Sequence, residues 1–230
     1  MRDNSTALMM FAAGFGTRMK HLTQDQPKPM IPVAGKPLID HALALVRDAN
    51  CGPIVANLHY KPDALAQHLQ EQGVQTILEM PDILETGGGL RNALPLLGTD
   101  PLFTMNTDAI WAGPNPLCML AQAWDPTSMD ALLINIPIAN AVGHQSQGDF
   151  TMAKDGCLSR GQGFVYGGIQ IIKTNQLDQI KEDTFSLNVL WDRMLQDKRL
   201  FGLPYPGKWC DVGHPDGVTL AEDMLRHADV

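Results

Sequence analysis

Long apolar runs are missing from this chain. No stretch approaches the ~20 consecutive apolar residues that a membrane-crossing helix needs, so no membrane partner is expected. Met1 to Thr6 is polar and holds no apolar signal core, which makes a cytoplasmic protein the expectation. Cysteine is sparse. Cys51, Cys118, Cys157 and Cys210 stand far apart, with no close pair of the kind a zinc site uses, and they read as reduced thiols. The 7 histidines are scattered, none in a metal-ligand pattern such as two on one helical turn. Internal repeats, low-complexity segments and linkers are also absent.

Basic residues are in the minority, 17 against 25 acidic ones, and a net charge of −8 argues against nucleic acid as a partner. The distribution says more than the sum. Residues 1–36 carry Arg2, Arg18, Lys20, Lys28 and Lys36 against only Asp3 and Asp25, a local charge of +3 that leaves −11 on the rest. A basic pocket on an acidic protein suits a small anionic ligand rather than a long polyanion.

At 230 residues and 44% hydrophobic content, one domain spanning 1–230 is expected. Apolar strand-like runs alternate with amphipathic stretches, which predicts an α/β fold. The expected architecture is a Rossmann-like open mixed sheet, predominantly parallel, with helices on both faces. Strands are predicted at 8–12, 54–58, 74–78, 102–105 and 131–136. Further strands, read as antiparallel, are predicted at 150–152, 163–172 and 200–204. Helices are predicted at 37–49, 62–72, 187–196 and 215–227, and 87–97 reads as a loop running into a helix. Residues 137–148 read as a flap over a site.

The chemistry concentrates in Ala12-Ala13-Gly14-Phe15-Gly16-Thr17-Arg18, followed by Pro27-Lys28-Pro29. A small Gly-rich loop leaving a buried strand can bring backbone N–H groups to a phosphate. Arg18 and Lys28 add fixed charge, and the flanking prolines hold the backbone around Lys28. Asp108, at the end of the 102–105 run, reads as a Mg²⁺ ligand or as a helix N-cap. Asp211, the one acid in Trp209-Cys210-Asp211-Val212-Gly213, reads as a metal ligand or a turn aspartate before the last helix. In Glu85-Thr86-Gly87-Gly88-Gly89, three glycines are read either as backbone lying flat on a planar ligand or as a flexible helix entry.

Taken in order, the Gly-rich loop, Pro27-Lys28-Pro29-Met30-Ile31-Pro32-Val33, Leu84-Glu85-Thr86-Gly87-Gly88-Gly89, Asn106-Thr107-Asp108 and Trp209-Cys210-Asp211-Val212-Gly213 resemble the signature of the sugar-1-phosphate nucleotidylyltransferases. The resemblance implies the nucleotide-diphospho-sugar transferase fold, with an NTP and a sugar 1-phosphate as substrates and Mg²⁺ as cofactor. It implies that Arg18 and Lys28 are catalytic. It places Ala12, Ala13, Gly14, Gly16, Thr17, Glu79, Thr86 and Gly87 on the nucleotide, and Asn140, Asp149 and Gly168 on the sugar. Asp108 and Asp211 would hold the metal. The short branch with a similar Glu-Thr-Gly-Gly-Gly run acts in peptidoglycan recycling, which implies UTP and N-acetylmuramate 1-phosphate. Guanylyl transfer to mannose or heptose 1-phosphate and thymidylyl transfer to glucose 1-phosphate remain open, as does a non-catalytic nucleotide-sugar sensor. A dinucleotide-dependent oxidoreductase is disfavoured, because Met19 stands at the third glycine position of G-x-G-x-x-G. Three departures from the family pattern stand out: His21 for proline, Thr107 for glycine beside the metal aspartate, and His214 for threonine.

Overall fold

The computed structural model describes residues 5–98 and 100–228. Met1 to Asn4 of the polar opening segment, with Arg2 and Asp3, lie outside the described residues. Chain order runs β1 (Leu8–Phe11), β2 (Pro32–Val33), β3 (Lys36–Pro37), α1 (Leu38–Asp48), β4 (Ile54–Leu58), α2 (Pro62–Glu71), β5 (Gln75–Leu78), α3 (Glu85–Leu97), β6 (Leu102–Asn106) and β7 (Ala109–Ala112). It continues through α4 (Pro116–Ala123), β8 (Ala131–Pro137), β9 (Ala141–Val142), β10 (Phe150–Met152), β11 (Leu158–Arg160), β12 (Phe164–Ile172), α5 (Asn188–Gln196), β13 (Leu200–Pro204), β14 (Lys208–Asp211) and α6 (Pro215–Ala228).

The main sheet has nine strands, ordered β11-β10-β12-β6-β1-β4-β5, with β8 and then β13 added beside β12. β1 pairs in parallel with both β4 and β6, as strands linked through helical crossovers must. β12 runs antiparallel to both β6 and β8. The strand predicted at 200–204 is not antiparallel to its partner: β13 lies parallel to β8.

Strand periodicity of two sorts the apolar residues onto two faces. Leu8, Met10, Ala56, Phe103 and Met105 face the layer built on α1, α2 and α4, with Leu43, Val46, Leu69 and Leu120. Met9, Val55, Leu102 and Leu133 face the layer of α3 and α5, with Leu90, Ala93, Leu190 and Met194. Both faces are therefore covered, which explains why the strands read as unbroken apolar runs.

Helix α4 and the short strands β2, β3, β7, β9, β11 and β14 went unread in the sequence, and β7 and β14 matter most for the site. With β9 they form a second, three-stranded sheet ordered β7-β14-β9. The first part of the expected flap is fixed in it, with Ala141 and Val142 paired to Trp209 and Cys210.

Candidate active site

Ligands of open α/β sheets sit beyond the carboxyl ends of the strands, and the phosphate loop begins there, just after β1. Ala12 donates its N–H to Asn57 Oδ1 at 2.9 Å, which anchors the start of the loop to β4. Gly14 is exposed, with nothing near the place of a Cβ. Gly16 has φ +63, and a Cβ there would lie 2.9 Å from both Lys28 and Thr23, so glycine is required twice over. Lys28 enters from a single 3-10 turn whose neighbours Pro27 and Pro29 are buried. Its side chain is 11% exposed, and Nζ donates to Asp108 Oδ2 at 2.7 Å.

The second sheet brings the two aspartates together. Asp108 lies between β6 and β7, Asp211 ends β14, and β14 pairs with β7 so that Asp211 faces Ala109. Burial pushes the Asp211 pKa up, and the charge of Asp108 pushes it further. Lys28, Arg18 and His144 pull the other way. A pair of hard oxygen donors, one of them strained by burial and its neighbour's charge, suits a divalent cation. Among the described residues no group of three or more His, Cys, Asp and Glu side chains is placed to hold a metal alone. That fits Mg²⁺, which takes one or two carboxylates and completes its shell with phosphate and water.

Three cavities carry most of the expected residues. The first, about 210 Å³, is walled by Ala12, Ala13, Gly14, Lys28, Thr86 and Asp108 among others. The second, about 960 Å³, holds Arg18, Asp211, His21, His144 and His214. Arg18 Nη1 lies 3.4 Å from His214 Nε2. The third, about 290 Å³, holds Asp149 with Arg160, Tyr166, Asn188 and Trp191, and it shares Phe11, Thr86 and Asn106 with the first.

The expected contact residues Glu79, Gly87, Thr17, Asn140 and Gly168 do not line the three cavities. Glu79 is 1% exposed, with both carboxylate oxygens engaged: Oε1 accepts from Asn57 Nδ2 at 2.7 Å and Oε2 from Leu84 N at 2.7 Å. It positions Asn57, and through it the phosphate loop. Gly87 is buried inside α3, where its N–H and that of Gly88 donate to the Phe185 carbonyl. Those glycines are therefore neither a flat bed for a base nor a loop; they let the segment around Phe185 pack on the helix. Thr17 lines a fourth cavity with Phe15 and Tyr60, which shares Lys20 and His21 with the second. Asn140 donates to the Tyr205 and Pro206 carbonyls and so braces a turn. Gly168 (φ +89) forms part of a bulge in β12, and a Cβ there would press on Asn106. Thr107, the added bulk next to Asp108, donates its hydroxyl to the Phe11 carbonyl at 2.9 Å.

The MobA-like NTP transferase domain matches residues 9–144, a span that contains the phosphate loop, Lys28 and Asp108. The chain belongs to this family. It is 37% identical to N-acetylmuramate alpha-1-phosphate uridylyltransferase of Caulobacter vibrioides, over 96% of this chain and 97% of that one. It is 31% identical to the protein of the same name from Neisseria meningitidis, over 89% and 92% of the two chains. Among solved structures, HddC from Yersinia pseudotuberculosis, complexed with GMP-PN, superposes with a TM-score of 0.77 at 20% identity, covering 96% of this chain and 99% of that one. The expected nucleotide-diphospho-sugar transferase fold is the one observed.

In this NTP transferase domain the sequence reading missed most of the third cavity. Its floor is a buried polar ladder: Trp191 Nε1 donates to Gln170 Oε1 at 2.9 Å, and Gln170 Nε2 donates to Thr104 Oγ1 at 3.0 Å. Thr104 also hydrogen-bonds the Tyr166 hydroxyl, whose burial pushes its pKa up. Tyr166 meets Trp191 edge-on with centroids 4.8 Å apart. One signal was available, a polar Gln170 inside an otherwise apolar strand. Asn57, alone in Ile54–Leu58, gave the same signal on the nucleotide side.

Proposed function

We propose that the protein transfers a uridylyl group from UTP to N-acetylmuramate α-1-phosphate and releases pyrophosphate. The observation that carries this reading is the junction of two unlike compartments. One offers Gly-rich backbone, Lys28 and Asp108, and the other offers aromatic and polar walls, with Phe11, Thr86 and Asn106 shared between them. A phosphate joined to a sugar fits that junction. Near full-length similarity to two uridylyltransferases of that name supports the choice of nucleotide and sugar.

On this reading the sugar phosphate oxygen attacks the α-phosphorus of UTP in line. A new P–O bond forms while the bond to the pyrophosphate oxygen breaks. The attacking oxygen is already anionic at neutral pH, so no strong general base is needed. Positioning and charge neutralisation carry the rate. Lys28 sits where both phosphates approach, and its bond to Asp108 yields to them. Arg18, in the large second cavity, faces the departing pyrophosphate. Mg²⁺, when held by Asp108 and Asp211, supplies Lewis-acid neutralisation of the phosphates. Asn57, fixed by Glu79, keeps the loop in place throughout.

The test is pyrophosphate release in Mg²⁺ buffer, crossing UTP, GTP, dTTP and CTP with the 1-phosphates of N-acetylmuramate, N-acetylglucosamine, mannose and glucose. Turnover with UTP and N-acetylmuramate 1-phosphate is expected. Turnover with GTP and mannose 1-phosphate would make the protein a guanylyltransferase, and no release from any pair would leave a nucleotide-sugar sensor.

A further inference from the structure

The third cavity contains a cation that a neutral sugar does not need. Arg160, at the end of β11, lines it together with Asp149 just before β10, where Phe150 pairs with Arg160. Its Nη2 donates to Asn188 Oδ1 at 2.8 Å and to Asp192 Oδ1 at 2.7 Å, and its Nε reaches Asp192 Oδ1 at 3.3 Å. The guanidinium stacks 5.0 Å from the Phe150 ring and 5.8 Å from that of Trp191. These contacts fix the plane of the group against the aromatic wall. Nη1 makes no hydrogen bond among the described residues, which leaves one edge of the fork unused. Asp149 shows the opposite pattern. Its Oδ2 accepts from Tyr166 N at 2.9 Å, and its other oxygen is left to accept from hydroxyl or amide groups.

We propose that Arg160 is the specificity-determining residue for an acidic sugar, pairing with a carboxylate carried on the sugar ring while Asp149 takes hydroxyl or amide hydrogens. The proposal rests on the reading above, in which N-acetylmuramate, a sugar bearing a carboxylate, is the acceptor. The Arg160 side chain is 41% exposed, and its ion pair with the more exposed Asp192 contributes little by itself. Stacking and the anchor to Asn188 instead hold the guanidinium ready, so little side-chain entropy is lost when the carboxylate arrives.

The experiment compares N-acetylmuramate 1-phosphate with its carboxyl methyl ester, which has nearly the same shape without the charge, in the wild type and in Arg160→Gln. The wild type is expected to favour the acid by about 10- to 100-fold in kcat/KM, the worth of one charge-assisted hydrogen bond. In Arg160→Gln that preference should collapse toward unity. A wild type that treats acid and ester alike, or a variant that keeps the preference, overturns the role of Arg160 and leaves uridylyl transfer standing. Binding of free N-acetylmuramate, followed by saturation-transfer NMR, reads Arg160 without turnover. Weaker binding in the variant supports the proposal even if no sugar 1-phosphate is turned over, a result that would sink the uridylyltransferase reading alone. Equal binding overturns the proposal.

Discussion

The Val212 backbone N–H donates to the Asp108 carbonyl oxygen at 2.9 Å. This bond ties the segment after β14 to the turn after β6, two places far apart in the chain. It sets Asp211 beside Asp108 and makes one site from two separate motifs.

Asp211→Asn should reduce nucleotidyl transfer by several orders of magnitude while leaving the fold intact. Burial and Asp108 raise the folded pKa of Asp211, so its charged form costs stability at neutral pH. The variant should therefore melt no lower than the wild type in EDTA. Mg²⁺ at a hundredfold over its Kd should stabilise the wild type by about 2.7 kcal/mol, a rise of several degrees in Tm, and should leave Asp211→Asn almost unmoved. Equal Mg²⁺ shifts in differential scanning calorimetry would remove Asp211 from the metal site.

Lys28→Met removes the cation that bonds Asp108 at 2.7 Å. Asp108 is 33% exposed, so water can solvate it once the partner is gone, and the fold should hold. Loss of one preorganised electrostatic donor is expected to lower kcat by about 10²- to 10³-fold. A kcat within threefold of wild type would show that Lys28 only anchors the empty site.

Gly88→Ala should destabilise the fold outright. A Cβ there collides with the Asp183 backbone carbonyl, which cannot swing aside as a flexible side chain would. A loss of about 1–3 kcal/mol is expected from the overpacking. Ala is ordinarily the better helix former by about 1 kcal/mol, so a variant that melts higher in thermal denaturation would contradict the close packing of α3 on the 183–185 segment.

Asp130 gives a pH dependence of stability. Burial opposes its ionisation, but Lys173 and Arg199, each with a nitrogen 2.9 Å from Oδ1, outweigh it and hold the carboxyl below its usual value. A depressed folded pKa contributes stability that is present above the unfolded value, about 3.9, and is lost as pH falls below it. Asp130→Asn should cost about 1–3 kcal/mol at pH 7, and the gap to wild type should close as pH drops toward 3. A gap that stays constant over urea melts from pH 7 to 3 would show that the ion pairs contribute nothing.

Strand and helix placement was legible because buried strands and amphipathic helices leave periodic apolar patterns. The phosphate loop, Lys28 and the two aspartates were legible because small residues, prolines and isolated acids stand out from such patterns. Two readings differ from the structure, each for its own reason. The three glycines of α3 were read as loop because helices disfavour glycine; tertiary packing overrode that propensity where Phe185, the Asp183 backbone and the Glu79–Asn57 pair come too close for a Cβ at Gly87, Gly88 and Gly89 respectively. Glu79 was read as a ligand-facing acid because no pattern distinguishes an acid that turns inward to two N–H donors from one that turns out.

By itself the sequence determined the α/β class, the parallel frame and the identity of the charged groups, since all of these are set by local periodicity and residue chemistry. The tertiary structure alone decided which groups meet. The β7-β14 pairing set Asp211 next to Asp108, the bulge in β12 let Asn106 stand between two cavities, and the stacking of Arg160 on Phe150 and Trp191 built a cationic wall. Each depends on contacts between residues distant in the chain, which a one-dimensional pattern of hydrophobicity does not encode.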